Sequence, residues 1–367
     1  MSDSRVGRDL LLNGMDYKNV VHGLIENLIN QDGSDLHLGE GRKPALRING
    51  QLIFLVNDKT MTSEDMLGIL DALIGPERVK KFIDTKNSDF SSNMNDGKVQ
   101  LRGNAFFQRG MVCIAIRLVP KPKSFETLNL PTILKDFSRK KQGFFLVVGP
   151  VGQGKSTTLS TMVNMINSET AAHIMTIEDP IEFIYTQDRS IIDQREIGVD
   201  TDDFVAALKS AFREDANVLL IGEMRDADTI SAAVTAAETG HLVLSTLHTN
   251  NASQTIDRII DSFEANQQGQ IRLQLASSLL GIFSQRLIPR ISGGRIPAYE
   301  LLINNKAIAN LIREKRTHEI DTVIETSSHE GMVDMNRCLI DLVQRGEISL
   351  ETAYEYSINP KALEQMF

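Results

Sequence analysis

The chain has no long apolar run, few cysteines and few aromatic residues, and each shortage excludes a class of protein. Its unbroken apolar stretches are short pieces such as Phe144-Phe-Leu-Val-Val148 and Val218-Leu-Leu-Ile221. Neither approaches the roughly 18–20 residues that cross a bilayer, so no transmembrane segment is expected. Met1 to Arg8 is polar and mixed in charge, without the basic and apolar regions of a secretory signal. A cytoplasmic protein is therefore expected. The 2 cysteines, Cys113 and Cys338, lie far apart and form no C-x-x-C pair, which argues against a zinc module or a disulfide framework. Aromatic residues make up 5% of the chain and the net charge is −9, a poor endowment for a basic, aromatic-lined nucleic-acid groove. The one dense basic run, Arg139-Lys140-Lys141, reads as a solvated face.

What is present describes a soluble, multidomain chain. Its 367 residues suit two or three domains, and 41% hydrophobic residues supply a core for each. Val20, Val21, Leu24, Ile25, Leu28 and Ile29 recur at helical spacing over Tyr17 to Asn30. The preceding residues 1–15 read as a short leader. Strands are expected at Ser34–Leu38, Ala45–Ile48 and Gln51–Val56, with Asn49-Gly50 as a hairpin turn. Helices follow at Ser63–Ile74 and Arg78–Ile83, then strands at Val99–Phe107 and Val112–Leu118. This is an α+β unit over residues 1–119. Pro120, Pro122 and Pro131 punctuate a linker over 120–135.

From Gly143 the pattern changes. Phe144–Val148, Ile174–Ile177, Val218–Ile221 and Leu242–Thr246 are continuous apolar strands, as parallel strands covered on both faces require. Ser156–Asn167, Phe204–Phe212 and Ala227–Glu238 are helical between them. An α/β domain with a parallel sheet is expected over 136–304, closing with a strand at Ile296–Ile303. The remainder, 305–367, reads as helical, with Asn359 capping a helix that opens on Pro360.

Chemistry concentrates at the first of those parallel strands. Gly149-Pro150-Val151-Gly152-Gln153-Gly154-Lys155-Ser156 fits G-x-x-x-x-G-K-[ST] between a strand and a helix. The glycines let backbone N–H groups turn inward around phosphate oxygens, and the helix N-terminus adds partial positive charge. Lys155 then reaches the β- and γ-phosphates of ATP, Ser156 ligates Mg²⁺, and Thr157 follows in the same turn. Val218-Leu-Leu-Ile-Gly-Glu223 is an apolar strand ending in a carboxylate, suited to the Mg²⁺ shell or to polarising water. Thr176-Ile-Glu178-Asp179-Pro180-Ile-Glu182 gathers three carboxylates at another strand end, a costly cluster unless Mg²⁺ and Lys155 balance it. Glu178, Asp179 and Glu223 are the candidate Mg²⁺ carboxylates, and Glu182 is aimed at a water near the γ-phosphate. His241 and His248 bracket the strand Leu242–Thr246, and fit either structural histidines or a γ-phosphate-sensing pair.

These motifs together resemble the secretion ATPase superfamily of type II secretion and type IV pili. The residues that carry the resemblance are Gly33-Ser-Asp-Leu-His-Leu38, Thr176 to Glu182 (its Asp box), Ile221-Gly-Glu-Met-Arg-Asp226 (its Walker B region) and Ala237-Glu-Thr-Gly-His241 through His248 (its His box). The likeness runs from about residue 17 to the C-terminus and is strongest to the pilus-retraction branch. It implies a PAS-like N-terminal domain, a RecA-like P-loop ATPase core and C-terminal helices. It also implies a homohexameric ring with nucleotide near subunit interfaces. Glu182 matches the family's general base and Glu223 its Walker B glutamate. Arg102, Arg109 and Arg117 match arginines that reach the phosphates from the N-terminal domain, though the residues alone suit the surface of a hairpin equally well. The implied partners are an inner-membrane pilus platform protein and a retraction paralogue, at the cytoplasmic face of that membrane, with no nucleic acid. Assembly and type II secretion relatives usually carry a tetracysteine module and a longer N-terminal extension, so a retraction motor is the expectation and a pilus assembly or type II secretion ATPase the alternative. The stretch Ala307-Ile-Ala309-Asn-Leu-Ile-Arg313-Glu314 carries Ala309 where retraction relatives have arginine. A nucleic-acid-stimulated RecA-like motor is the rival from another class.

Overall fold

The computed structural model describes residues 16–31, 33–48, 50–94 and 99–366. The leader at 1–15 and Asn49 of the hairpin turn lie outside the described residues. The chain divides into two compact units at Pro120/Lys121.

The first unit runs α1 (Tyr17–Asn30), β1 (Gly33–Gly39), β2 (Ala45–Ile48), β3 (Gln51–Phe54), α2 (Ser63–Ile74), α3 (Pro76–Thr85), β4 (Asn87–Met94), β5 (Val99–Gln108) and β6 (Met111–Val119). Its strands form one six-stranded sheet in the order β3-β2-β1-β6-β5-β4, and every pairing is antiparallel. One face is apolar: Leu36 is opposite Leu46 on one side and Ile116 on the other. These three pack with α1 and α2 residues such as Leu24, Leu28, Met66 and Ile69. Local chemistry fixes the helix ends. Asp16 caps α1 through its side chain, and Thr62 with Asp65 forms a reciprocal capping box on α2. The strand β4 escapes the sequence pattern because Asn-Ser-Asp-Phe-Ser-Ser-Asn-Met holds a single fully buried residue, Phe90, as an edge strand can.

The second unit runs α4 (Ile133–Ser138), β7 (Gly143–Val148), α5 (Lys155–Glu169), β8 (His173–Glu178), β9 (Ile191–Glu196), α6 (Phe204–Ala211), β10 (Val218–Ile221), α7 (Ala227–Glu238), β11 (Leu242–Leu247), α8 (Ala252–Asp261), α9 (Gln268–Ser278), β12 (Leu279–Pro289), β13 (Arg295–Ile303), α10 (Lys306–Arg313), α11 (Ile320–Thr326), α12 (Met335–Gln344), α13 (Leu350–Tyr356) and α14 (Pro360–Glu364). The seven-stranded sheet has the order β13-β12-β7-β11-β10-β8-β9. All neighbours are parallel except β12 and β13, which form an antiparallel pair at one edge. Alternate residues of β7 enter two different cores, Phe144, Leu146 and Val148 on one face and Phe145 and Val147 on the other. That double burial is why these strands read as unbroken apolar runs.

Sequence periodicity did not reveal β9, β12, α8 or α9. Two of the proline-punctuated residues' neighbours, Phe125 and Leu130, are buried with Leu134, Phe137 and Phe145, so that stretch packs into the second unit. The C-terminal helices also belong there. Asn359 caps α14 with Pro360 in its first turn, as expected. Ala309 is buried in the same core as Ile308 and Ile312, so that position serves packing here.

Candidate active site

In a parallel sheet the strand ends that share a polarity share an edge, and that edge gathers the site. The carboxyl ends of β7, β8, β10 and β11 deliver Gly149, Asp179, Gly222-Glu223 and His248 to one side. A cavity of about 420 Å³ opens there, lined by the loop from Val151 to Thr157 together with Glu178, Asp179, Glu182, Glu223 and His248.

The loop is shaped by backbone that only glycine accepts comfortably. Gly149 has φ 147°, and a Cβ on it would sit 2.3 Å from the Gln285 carbonyl oxygen. Gly154 has φ 80° and caps α5 in the left-handed region. Lys155 opens α5 and is buried. Its Nζ donates to the carbonyls of Gly149 and Pro150, each at 2.9 Å, and lies 3.2 Å from His248 Nδ1. Burial holds its pKa below the ordinary lysine value, against the pull of the Glu223 and Glu182 carboxylates. Ser156 and Thr157 follow in the first turn of the helix.

Charged groups connect across the strand ends. His248 Nε2 is 3.5 Å from Glu223. The Arg225 guanidinium pairs with Glu223 and reaches Asp179 at 3.7 Å. The result is a continuous line from Lys155 through His248, Glu223 and Arg225 to Asp179. Glu182 is exposed and lines the cavity.

Glu178, a candidate Mg²⁺ carboxylate, lines the cavity and is also held within its own turn. It is 6% exposed. One oxygen accepts from Thr176 Oγ1 at 2.7 Å and the other from the Glu182 backbone N–H at 3.2 Å. Burial raises its pKa above the usual carboxylate range. Through these contacts Glu178 braces the segment that presents Glu182, while it also lines the cavity. His241 is not brought to the cavity. It stands at the amino end of β11, where its Nδ1 donates to the Ala236 carbonyl at 3.0 Å and its ring meets Phe212 edge-on. A histidine at the start of a strand and one just past its end cannot share a site at the strand's carboxyl edge. Arg102, Arg109 and Arg117 lie in the first unit. Arg102 and Arg117 face each other across β5 and β6, Arg117 donates to Asp35 at 2.7 Å, and Arg109 occupies the β5–β6 turn with φ 55°.

Sequence reasoning missed four participants. Arg225 sits inside the Walker B stretch, and only the fold shows that it bridges two carboxylates. Gln285, Leu287 and Arg295 come from β12 and β13; Leu287 and Arg295 line the cavity and Gln285 holds the loop. No local pattern marks them, because they meet the loop through a sheet pairing more than a hundred residues away in sequence.

The model of the family described as type II/IV secretion system protein matches residues 18–293. A type IV pilus retractation ATPase, PilT, of Pseudomonas aeruginosa is 40% identical over 90% of this chain and 96% of its own length. The type IV pilus ATPase PilU of the same organism is 35% identical over 94% of this chain and 90% of its own. A crystal structure of the pilus retraction motor PilT with bound ADP superposes with a TM-score of 0.87 at 43% identity, covering 96% of this chain and all of that one.

Proposed function

This chain belongs to the type II/IV secretion system protein family, and on that premise we propose that it is a motor ATPase that drives type IV pilus retraction. The observation that carries the reading is the line of groups at the loop: Lys155, His248 and Glu223 in contact, with Glu182 facing the same cavity. The relatives named for pilus retraction extend it from hydrolysis to the motor.

The chemistry follows from the donors available. Backbone N–H groups of Gly152 to Ser156 and the α5 N-terminus hold the β-phosphate. Lys155 exchanges its two loop carbonyls for β- and γ-phosphate oxygens, stronger acceptors for a buried cation. Ser156, Glu223 and Asp179 offer hard oxygen donors of the kind Mg²⁺ takes. When bound, Mg²⁺ supplies neutralisation of phosphate charge. Glu182 takes the proton of the attacking water, Glu223 orients that water, and His248 senses the γ-phosphate from between Lys155 and Glu223.

The chain works as a homohexamer at the cytoplasmic face of the inner membrane, against a platform protein, with a retraction paralogue as a further partner. Among the described residues no helix is long and apolar enough to cross a membrane. For Arg102, Arg109 and Arg117 the proposed role is that of cationic groups that stabilise a transferring phosphoryl.

Lys155→Ala and Glu223→Gln should each abolish steady-state ATP turnover in the purified protein; near-normal turnover in either removes the site assignment. Deleting the gene should leave cells hyperpiliated and immobile, whereas loss of pili would indicate an assembly motor. If Arg109 or Arg117 acts across a subunit boundary, activity per subunit should fall on dilution below the assembly concentration. Turnover that persists in demonstrable monomer rules that out.

A further inference from the structure

Gln285 is a polar side chain on β12 that the hydrolysis chemistry does not use, and it is only 2% exposed. Its Oε1 accepts from Thr158 Oγ1 at 2.6 Å, and its Nε2 donates to the Gln153 carbonyl at 2.7 Å. A carbonyl can only accept, so the amide has one orientation that satisfies both ends. Gln153 answers from the loop, its Oε1 accepting the Leu287 backbone N–H at 2.6 Å. The backbone carbonyl of Gln285 lies against Gly149, the first residue of the loop. One residue on a neighbouring strand thus touches the loop at its start, near its apex and at the first turn of the helix that follows.

The loop has little else to hold its shape. Gly149, Gly152 and Gly154 all have positive φ, and glycine is the residue with most conformational freedom to lose. Its other internal support is Lys155, bonded to Gly149 and Pro150. That support is withdrawn when Lys155 turns to phosphate, which is when the loop must keep its form. The Gln285 contacts involve no atom that phosphate would claim.

The geometry points to Gln285 as a positioning residue for the phosphate loop: a buried amide that holds Gly149 to Thr158 in the form that binds the nucleotide's diphosphate. This rests on the nucleotide reading above and deepens it.

The test measures ADP affinity by equilibrium binding with Mg²⁺ on the full chain, alongside melting without nucleotide. Gln285→Ala should weaken ADP binding about tenfold in the folded protein, the scale of a buried hydrogen bond left unmade. Gln285→Glu keeps an acceptor for Thr158 but sets an anion against the Gln153 carbonyl, and should weaken it at least as much. From the other side, Thr158→Val should weaken ADP binding, and Thr158→Ser, which keeps the hydroxyl, should recover most of it. A residue that only supported the fold would lower melting and leave ADP affinity unchanged. ADP affinity equal to that of the unmodified chain in Gln285→Ala or in Thr158→Val therefore overturns the proposal. If Gln285→Ala does not fold, the Thr158 pair decides alone. An unmodified chain that binds no ADP overturns the nucleotide reading instead.

Discussion

Two short stretches of this chain look alike in sequence and have opposite fates. Gln51-Leu-Ile-Phe-Leu-Val56 in the first unit and Gly143-Phe-Phe-Leu-Val-Val148 in the second each carry an unbroken run of five apolar residues and read as strands. Every residue of β7 is buried, and every residue of β3 is exposed. The difference is position in the sheet. β7 lies between β12 and β11 with helices on both faces, while β3 is the outer strand of a sheet covered on one face. An apolar run thus gives strand propensity, and the sheet's strand order decides whether that run stabilises anything.

The contrast extends to charge. The second unit, covered on both faces, forces ionisable groups inside: Lys155, Glu178 and Glu300 are all buried there. The first unit buries two carboxylates, Asp35 and Asp65, but pairs them with more exposed cations, Arg117, two-thirds exposed, on Asp35 and the half-exposed Lys59 on Asp65. Buried groups are costly unless hydrogen-bonded and so have shifted proton affinities, whereas exposed pairs contribute little.

The largest effect that would break this comparison is in the doubly covered strand. Phe144→Ala should destabilise the second unit by about 3–5 kcal/mol in denaturant unfolding; a loss under ~1 kcal/mol would show that burial on both faces does not govern β7. Next is Glu300, whose Oε1 accepts from the Ala252 N–H at the start of α8 at 2.8 Å. Burial pushes its carboxyl from 4.5 up to about 7. The folded state then keeps a proton that the unfolded state has released, so stability falls as pH rises from about 4.5 through about 7 and stays reduced above. At about 1.4 kcal/mol per unit the whole span is at most ~3–4 kcal/mol. Glu300→Gln should flatten that part of the pH–stability curve, and an unchanged slope would refute the assignment. A smaller change is expected from Arg117→Ala, about 1 kcal/mol in the first unit, since Arg47 remains 3.8 Å from Asp35. Smallest is Phe54→Ser on β3, which should shift stability by no more than ~0.5 kcal/mol while reducing self-association. A large destabilisation there would show that the edge strand is covered after all.

The same distinction explains what was legible in the residues. The phosphate loop was readable in full, because its chemistry is local: eight consecutive residues carry the turn, the amides, the cation and the hydroxyl. The carboxylates Glu182 and Glu223 were readable because each follows its own apolar strand. The strand β4 was not, since an edge strand needs few apolar residues. β12 was not, since its polar positions, Ser284, Gln285 and Arg286, interrupt the apolar signal, and two of them, Ser284 and Gln285, are buried for hydrogen bonding. His241 carried the right chemistry for a site, but it stands at the end of its strand away from the cavity.

The sequence by itself determined the local elements: the loop, the apolar parallel strands, the cap at Asn359, and the motif set that defines the family. These depend on interactions within a few residues, where side-chain type and spacing are sufficient. The tertiary structure alone decided which apolar strand is core and which is edge. It decided that His248 reaches Lys155 while His241 does not, and that Glu178 supports Glu182. It also set Gln285 against Gly149, Gln153 and Thr158. The Glu178 contact closes within a single turn, but the others depend on strand order, which joins Lys155 to His248 across 93 positions and Gln285 to Gln153 across 132, and no local pattern of residue types encodes such distances.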